Sequence, residues 1–296
     1  MIANTVLTEN SNVFSMPDYR KLLSQDMVDR IREVGCFSQG HYASLDIPDT
    51  LTFYTDRYIK QLFDFSSVNS KLTIVDVGTG FGWLSMAFAF STEAKIIAVE
   101  LNEVRLKAAQ EIAGILGIAD RIDWRLGGLG NLPLADKEAD IVYCIEVLEH
   151  VYRAPEAIRS LCNATSDLLI LTTPNLWFPV IAHDTQLPLC HWLPVPLRKV
   201  YAKFFNREDR ENDNLFWSPY SLRKNVPGFK PVSKWLHYSS YKNYLDTFPF
   251  YLPYGSGFYV RKIGILKKTY YDIASRFGMF SHWLVPSLAY VFKGTQ

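Results

Sequence analysis

Ile74-Val75-Asp76-Val77-Gly78-Thr79-Gly80-Phe81-Gly82 is the stretch of this 296-residue chain that decides its fold. An apolar run rich in β-branched residues reads as a buried strand, expected over residues 71–77. Alternating glycines then end it in a tight turn. A helix is expected to leave that turn over residues 83–91. Such a turn lets the backbone approach a ligand closely, with the first N–H groups of the helix directed toward it. A second strand, expected over residues 95–100, closes on Glu100, an acid about 20 residues beyond the turn and placed to accept hydrogen bonds from ribose hydroxyls. Turn and acid together point to a nucleoside ligand.

Outward from this unit the chain keeps alternating. A helix over 103–116 stopped by Gly117, strands over 121–126 and 139–145, a helix over 155–162 and a strand over 167–173 follow with short connections. This rhythm predicts an α/β fold, a Rossmann-like, doubly wound and mostly parallel sheet with its ligand at the carboxyl ends of the strands. After Pro174-Asn175 the rhythm breaks. Trp, Pro and Phe crowd residues 176–217, with one helix expected over 197–205. Ser218-Pro219 forms a cap and first-turn pair for a short helix to Asn225, and a strand is expected over 229–238. Residues 240–284 read as irregular and aromatic with a helix near 268–277, and 286–292 as a last strand. Residues 1–70 form an N-terminal helical segment, with one helical stretch opened by Pro17-Asp18 and stopped by Gly35 and a helix over 51–63, that either closes over the site as a lid or pads the sheet edge. The remainder, 71–296, reads as the main domain, with insertions at about 176–217 and 240–284 on the substrate side.

A second motif links to the first. Leu132-Pro133-Leu134 leads into Asp140-Ile141-Val142-Tyr143-Cys144-Ile145-Glu146-Val147-Leu148-Glu149-His150-Val151. With the glycine turn and Glu100, this spacing resembles class I S-adenosylmethionine-dependent methyltransferases, in their small-molecule, type 11-like branch. A dinucleotide-binding dehydrogenase begins similarly, but its turn reads G-x-G-x-x-G. Here Gly82 comes one residue early and Trp83 stands where the third glycine would be, so an indole would crowd a pyrophosphate.

The resemblance implies S-adenosyl-L-methionine as cofactor. It implies that Gly78, Gly80 and Gly82 bring the backbone under the methionine portion, that Asp76 lies near its amino group, and that Glu100 holds the ribose hydroxyls. The family often places an adenine-binding Asp after the third strand. This chain has Gly127-Gly128-Leu129-Gly130-Asn131 there, so backbone around Gly128 and Leu129, or the Asn131 side chain, takes that part.

Glu146, Glu149 and His150 follow the fourth strand, where the family places the transferable methyl and its acceptor. Three readings stand. His150 is a general base toward an acceptor hydroxyl, its pKa suiting neutral pH. The E-x-x-E-H pattern holds a divalent metal that orients the acceptor oxygen, as in ubiquinone-pathway and small-RNA methyltransferases. Or the groups are structural, with Glu146 at cofactor contacts and His150 capping or packing. The string recurs in superfamily members not known to use metal, so a metal is not the favoured reading. His183, Asp184 and His191, just after the fifth strand, are further candidates for a base or metal constellation, against a packing role. Asn175 either borders the acceptor pocket or forms an Asx turn.

Composition bounds the rest. An apolar share of 48% with 21% charged is that of a folded globular chain. Residues 1–183 carry 15 Lys/Arg against 23 Asp/Glu, a net of −8, and residues 184–296 carry 16 against 7, a net of +9. The halves either neutralise one another or present a basic face. The basic residues are dispersed and the total is +1, so nucleic acid is not the expected partner. Cys36, Cys144, Cys162 and Cys190 lack metal or disulfide spacing and read as reduced core thiols. Absence of a leader pattern and of a roughly 20-residue apolar run points to the cytoplasm. The segments 191–199 and 280–285 mix aromatic and basic residues and suit either a cap over the site or peripheral contact with a membrane or a lipid-linked acceptor. The expected reaction moves a methyl to an oxygen, nitrogen or carbon of a small-molecule, glycan or lipid-linked acceptor, oxygen first. A non-catalytic cofactor-binding regulator and a nicotinamide dehydrogenase are the alternatives.

Overall fold

A computed structural model describes residues 16–39, 42, 44–180, 185–207, 216–247 and 265–295. Seven strands form one sheet: β1 Thr73–Val77, β2 Lys95–Glu100, β3 Ile122–Leu126, β4 Ala139–Ile145, β5 Thr165–Pro174, β6 Phe229–Pro231 and β7 Ser287–Gly294. Their order is β3-β2-β1-β4-β5-β7-β6. β1 to β5 pair in parallel, whereas β7 runs antiparallel between β5 and β6. A dinucleotide fold places its sixth strand directly beside the fifth. The inserted antiparallel strand here departs from that order.

Strand side chains alternate between faces, and the apolar core splits accordingly. Ile74, Ile96, Ile141, Tyr143 and Ile170 point to one layer, shared with Trp83–Ser91, Glu103–Ile115 and the N-terminal helices. Val75, Val77, Val99, Val142, Cys144 and Leu171 point to the other, under Ala154–Ala164 and Pro219–Lys224. Helix Trp83–Ser91 is buried at every position but Phe90, as its apolar circumference demands. Helix Ile47–Tyr54 covers its outer side.

Sequence order reverses beside β1. β2 and β3 lie on one side, β4 and β5 on the other, so a crevice opens at the carboxyl ends of β1 and β4. Register brings the relevant ends level, Val77 opposite both Val99 and Cys144. The glycine turn leaves β1 here, and Glu146 follows β4.

Several expected boundaries shift for local reasons. The helical stretch expected between Pro17-Asp18 and Gly35 is two helices, Tyr19–Leu22 and Gln25–Glu33, because Leu23 turns extended and Ser24 caps the second by accepting from Met27 N–H. The helix expected from 51 begins at Ile47, since Asp46 is its cap and Pro48 occupies its first turn, then continues through Thr55–Ile59 to Leu62. The strand expected over 229–238 ends at Pro231. Beyond it, Leu236 takes a positive φ of 51° and Trp235 pairs back with Tyr238. This tight turn sends Trp235 and Tyr238 into an aromatic cluster with Tyr244 and Tyr271, burying surface that an edge strand would leave in water. The later helices run Val195–Phe204 and Ile265–Ser275. Among the described residues, no helix is long and apolar enough to cross a membrane.

Candidate active site

The glycine turn is left-handed at each of its three glycines, with φ of 76° at Gly78, 59° at Gly80 and 80° at Gly82. Only glycine adopts these angles without strain. A Cβ at Gly78 would collide with Val147, and one at Gly82 would meet Trp124 at 2.9 Å. Both positions thus let the protein's own side chains pack close, Val147 on the β4 side and Trp124 on the β3 side. The turn's N–H groups are engaged within the protein: Gly78 and Thr79 donate to Val99 O, Gly82 to Thr79 O, and Gly80 to Glu100 Oε2 at 2.8 Å. Those at Gly78, Thr79, Gly80 and Gly82 are therefore spent on the fold; the missing side chains of Gly78 and Gly82 let Val147 and Trp124 pack against the turn, and Gly80 alone of the three faces open space.

Glu100 is buried at the end of β2 and takes one N–H on each oxygen, Gly80 on Oε2 and Asn102 on Oε1 at 2.9 Å. Each carboxylate oxygen accepts more than one bond, so the group both ties the turn to β2 and retains capacity for ribose hydroxyls. Asp76, buried at the end of β1, accepts from Thr79 Oγ1 at 2.6 Å and Ser85 Oγ at 2.9 Å. Burial raises its pKa to about 6, against the pull of those two hydroxyls. In the loop after β3, Gly127 N–H donates to Glu100 O and Asn131 N–H to Gly128 O. Leu129 is buried beneath it, while Asn131 is exposed.

A cavity of about 590 Å³ opens at the crevice. Gly78, Thr79, Gly80, Ile145 and Glu146 form its floor. Phe53, Tyr54, Arg57 and Tyr58 of the N-terminal helices form one wall, and Tyr238, Tyr244, Lys267 and Tyr271 another. Hydrogen bonds join the two walls: His237 Nε2 to Arg57 O at 2.8 Å, Gln61 Nε2 to Thr247 Oγ1 at 2.9 Å, and both Ser239 and Asn243 to Asp64 Oδ2. Burial lifts the Tyr271 phenol to about 12 and holds Tyr238 and Tyr244 well above the usual range. At neutral pH these are hydroxyl donors and not bases.

Glu146 is the one carboxylate among the described lining residues. Its φ is 53°, with its N–H held by Thr172 O and Thr172 Oγ1. A non-glycine residue in this region stores strain, a frequent companion of functional sites. Glu149 and His150 diverge from it. Glu149 is fully buried and accepts from Thr173 Oγ1 at 3.1 Å, whereas His150 is exposed on the turn Leu148–His150 and does not line the cavity. Among the described residues, no three His, Cys, Asp or Glu side chains gather as a metal-holding group. His191 is half-buried and bonds Leu176 O at 3.1 Å, and burial lowers its pKa. Asn175 is buried, donates to the carbonyls of His282 and Val285, and accepts from Trp177 N–H as an Asx turn does. His183 and Asp184 lie outside the described residues.

Sequence reasoning named the segments of the upper walls, with the helix over 51–63 as one candidate lid and 240–284 as a substrate-side insertion, but not their lining side chains. Arg57, Tyr58, Tyr238 and Lys267 carry no motif, and the high aromatic content, 15%, was their only trace.

Fold and site define the class: this chain carries a class I S-adenosylmethionine-dependent methyltransferase domain. Residues 75–166 match the family model described as "Methyltransferase domain". Methyltransferase GfsG of Streptomyces halstedii is 25% identical over 124 residues, 42% of this chain and 45% of that protein. Norajmaline N-methyltransferase of Rauvolfia serpentina is 29% identical over 105 residues, 36% of each. The chain thus matches less than half the length of either relative. A solved structure described as a putative sarcosine dimethylglycine methyltransferase from Galdieria sulphuraria shares the fold, with a TM-score of 0.50 at 12% identity over 81% of this chain and 84% of that one.

Proposed function

We propose that this protein is an enzyme that transfers the methyl group of S-adenosyl-L-methionine to a small-molecule, glycan or lipid-linked acceptor, most readily at oxygen. The observation that carries this reading is the shared cavity, whose floor is the glycine turn with Glu146 and whose walls are aromatic. The cofactor supplies an electrophilic methyl on a sulfonium. The backbone at Gly78 and the open face of Gly80 would lie under its methionine portion, and Glu100 retains hydrogen-bonding capacity for its ribose. Glu146 and the tyrosine hydroxyls line the space left for an acceptor. Holding the acceptor atom in line with the methyl supplies most of the rate in such a displacement.

Glu146 stands in the cavity to orient the acceptor or take its proton, and His150 is placed to assist only from outside it. The protein is read as cytoplasmic, with helix Val195–Phe204 making peripheral contact with a membrane surface. Its Leu197, Val200 and Phe204 are exposed along one stripe, with Lys199 and Lys203 on another side.

Incubation with methyl-labelled cofactor and separate lipid, glycan and soluble fractions of a cell extract tests the reading. Label is expected in one fraction, stable to base as an ether. Tight cofactor binding with no labelled product in any fraction would support a regulatory binding protein instead.

A further inference from the structure

The charge of the cavity exceeds what the cofactor's methyl and ribose require. Its described lining includes three cations, Arg57, Arg105 and Lys267, against the single acid Glu146. Arg105 and Lys267 sit at the exposed mouth, while Arg57 is half-buried. The Arg57 guanidinium lies 5.5 Å from the ring centres of Phe53 and Tyr58, and Lys267 Nζ lies 5.5 Å from that of Tyr271. Among the described residues neither Arg57 nor Lys267 forms an ion pair, and each has an aromatic face as its partner. Arg57 Nε is buried with no hydrogen-bond partner, and the buried Tyr238 hydroxyl lies beside Thr247. Desolvation at the wall, followed by the charge of Arg57, holds Lys267 below the usual lysine range. These like charges repel one another across the aromatic cavity, and the Glu146 carboxylate, whose charge favours the cation at Arg57, is one acid against three cations, so an anionic ligand would be favoured there. An unpaired donor that lines a cavity is likewise costly unless a ligand takes its hydrogen.

We propose that the methyl acceptor is an anion, its carboxylate or phosphate held by Arg57 and Lys267 with the Tyr238 hydroxyl donating, and its body packed between the aromatic walls. This rests on the methyl-transfer reading, because it assigns the cavity beside the glycine turn to the acceptor. S-adenosylmethionine itself carries a carboxylate, and the test must separate the two anions.

The full-length protein, saturated with S-adenosylhomocysteine, is titrated calorimetrically with phenyl phosphate, benzoate and the neutral benzamide. Wild type, Arg57→Gln, Arg57→Lys and Lys267→Gln are compared. The expected result is that at least one of the two anions binds the loaded protein about tenfold or more tightly than benzamide. Arg57→Gln and Lys267→Gln should each weaken it about tenfold, Arg57→Lys should restore part of the loss, and homocysteine-cofactor affinity should stay within about threefold. Equal binding of anion and amide overturns the proposal. So does a loss confined to S-adenosylhomocysteine affinity in the variants, which would give the cations to the cofactor's own carboxylate. Failure of wild type to bind S-adenosylhomocysteine at all would sink the methyl-transfer reading, and the same titrations on unloaded protein would still decide whether the cavity selects an anion.

Discussion

Glu146 concentrates the chemistry of this site at the scale of a single residue. Its left-handed backbone, φ of 53°, is a conformation that glycine adopts more easily by about 1 kcal/mol. Glu146→Gly should therefore leave melting temperature unchanged or raise it by a few degrees, while label transfer falls at least about tenfold. A variant that lost stability and activity together would show instead that the carboxylate holds the fold. His150 makes the contrasting case. Because it sits on an exposed turn and not on the cavity wall, His150→Ala should keep turnover within a few-fold of wild type. A loss of about a hundredfold in kcat with unaltered cofactor affinity would return to it the role of general base. Asp76 and Glu100 show why motif residues are legible where others are not. Each acts through a neighbour close in sequence, Thr79 and Ser85 for Asp76, Asn102 and the glycine turn for Glu100, so their spacing alone announces the arrangement.

Among the elements, those of the sheet were readable because each buries a face whose period matches its geometry. Helix Trp83–Ser91 and strands Lys95–Glu100 and Ala139–Ile145 lie where the pattern predicts. The strand expected over 229–238 was misread because an apolar, aromatic run serves a buried turn as well as a strand. The cavity walls were readable as segments but not as contacts. Arg57 and Tyr238 meet across about 180 residues of chain, through His237 and the Arg57 carbonyl, and no local periodicity encodes such a contact. Helix Val195–Phe204 carries a prediction of its own. Leu197, Val200 and Phe204 are 57%, 68% and 79% exposed, and Arg198, Lys199 and Lys203 provide charge complementary to anionic lipid. Wild type should co-sediment with phosphatidylserine vesicles and less with phosphatidylcholine vesicles. A Leu197→Glu, Phe204→Glu double variant should lose that binding with melting temperature nearly unchanged, and a wild type that stays in the supernatant with both lipids would defeat the membrane reading.

At the scale of the whole molecule, the segments that follow β5 and β6 are fastened over the sheet by two buried, neutral histidines. His237 stacks on Tyr58 and bonds the Arg57 carbonyl, and burial, then the Arg57 charge, lowers its pKa to about 3. His282 stacks on Tyr290 in a run whose carbonyls accept from Asn175, and burial, then the Arg223 charge, lowers it to about 4. A histidine depressed by folding takes its proton first in the unfolded chain, so its contribution is intact above about pH 6.5 and is lost as pH falls toward the folded value. Asp76 works in the other direction. Raised to about 6 in the fold, it protonates first in the native state and adds stability as pH falls from 6 toward 4. Two protons favour unfolding and one opposes it, leaving a net loss on the order of 1 kcal/mol per pH unit below about 6. Melting temperature should therefore decline by a few degrees per unit between pH 6.5 and 5, after a plateau near neutrality. His282→Gln, which keeps a polar side chain but cannot titrate, should start from a lower plateau and decline less steeply. A wild-type melting temperature that is flat or rises across that interval would mean that Asp76 outweighs the histidines, and that the cover over the cavity is held by its aromatic packing alone.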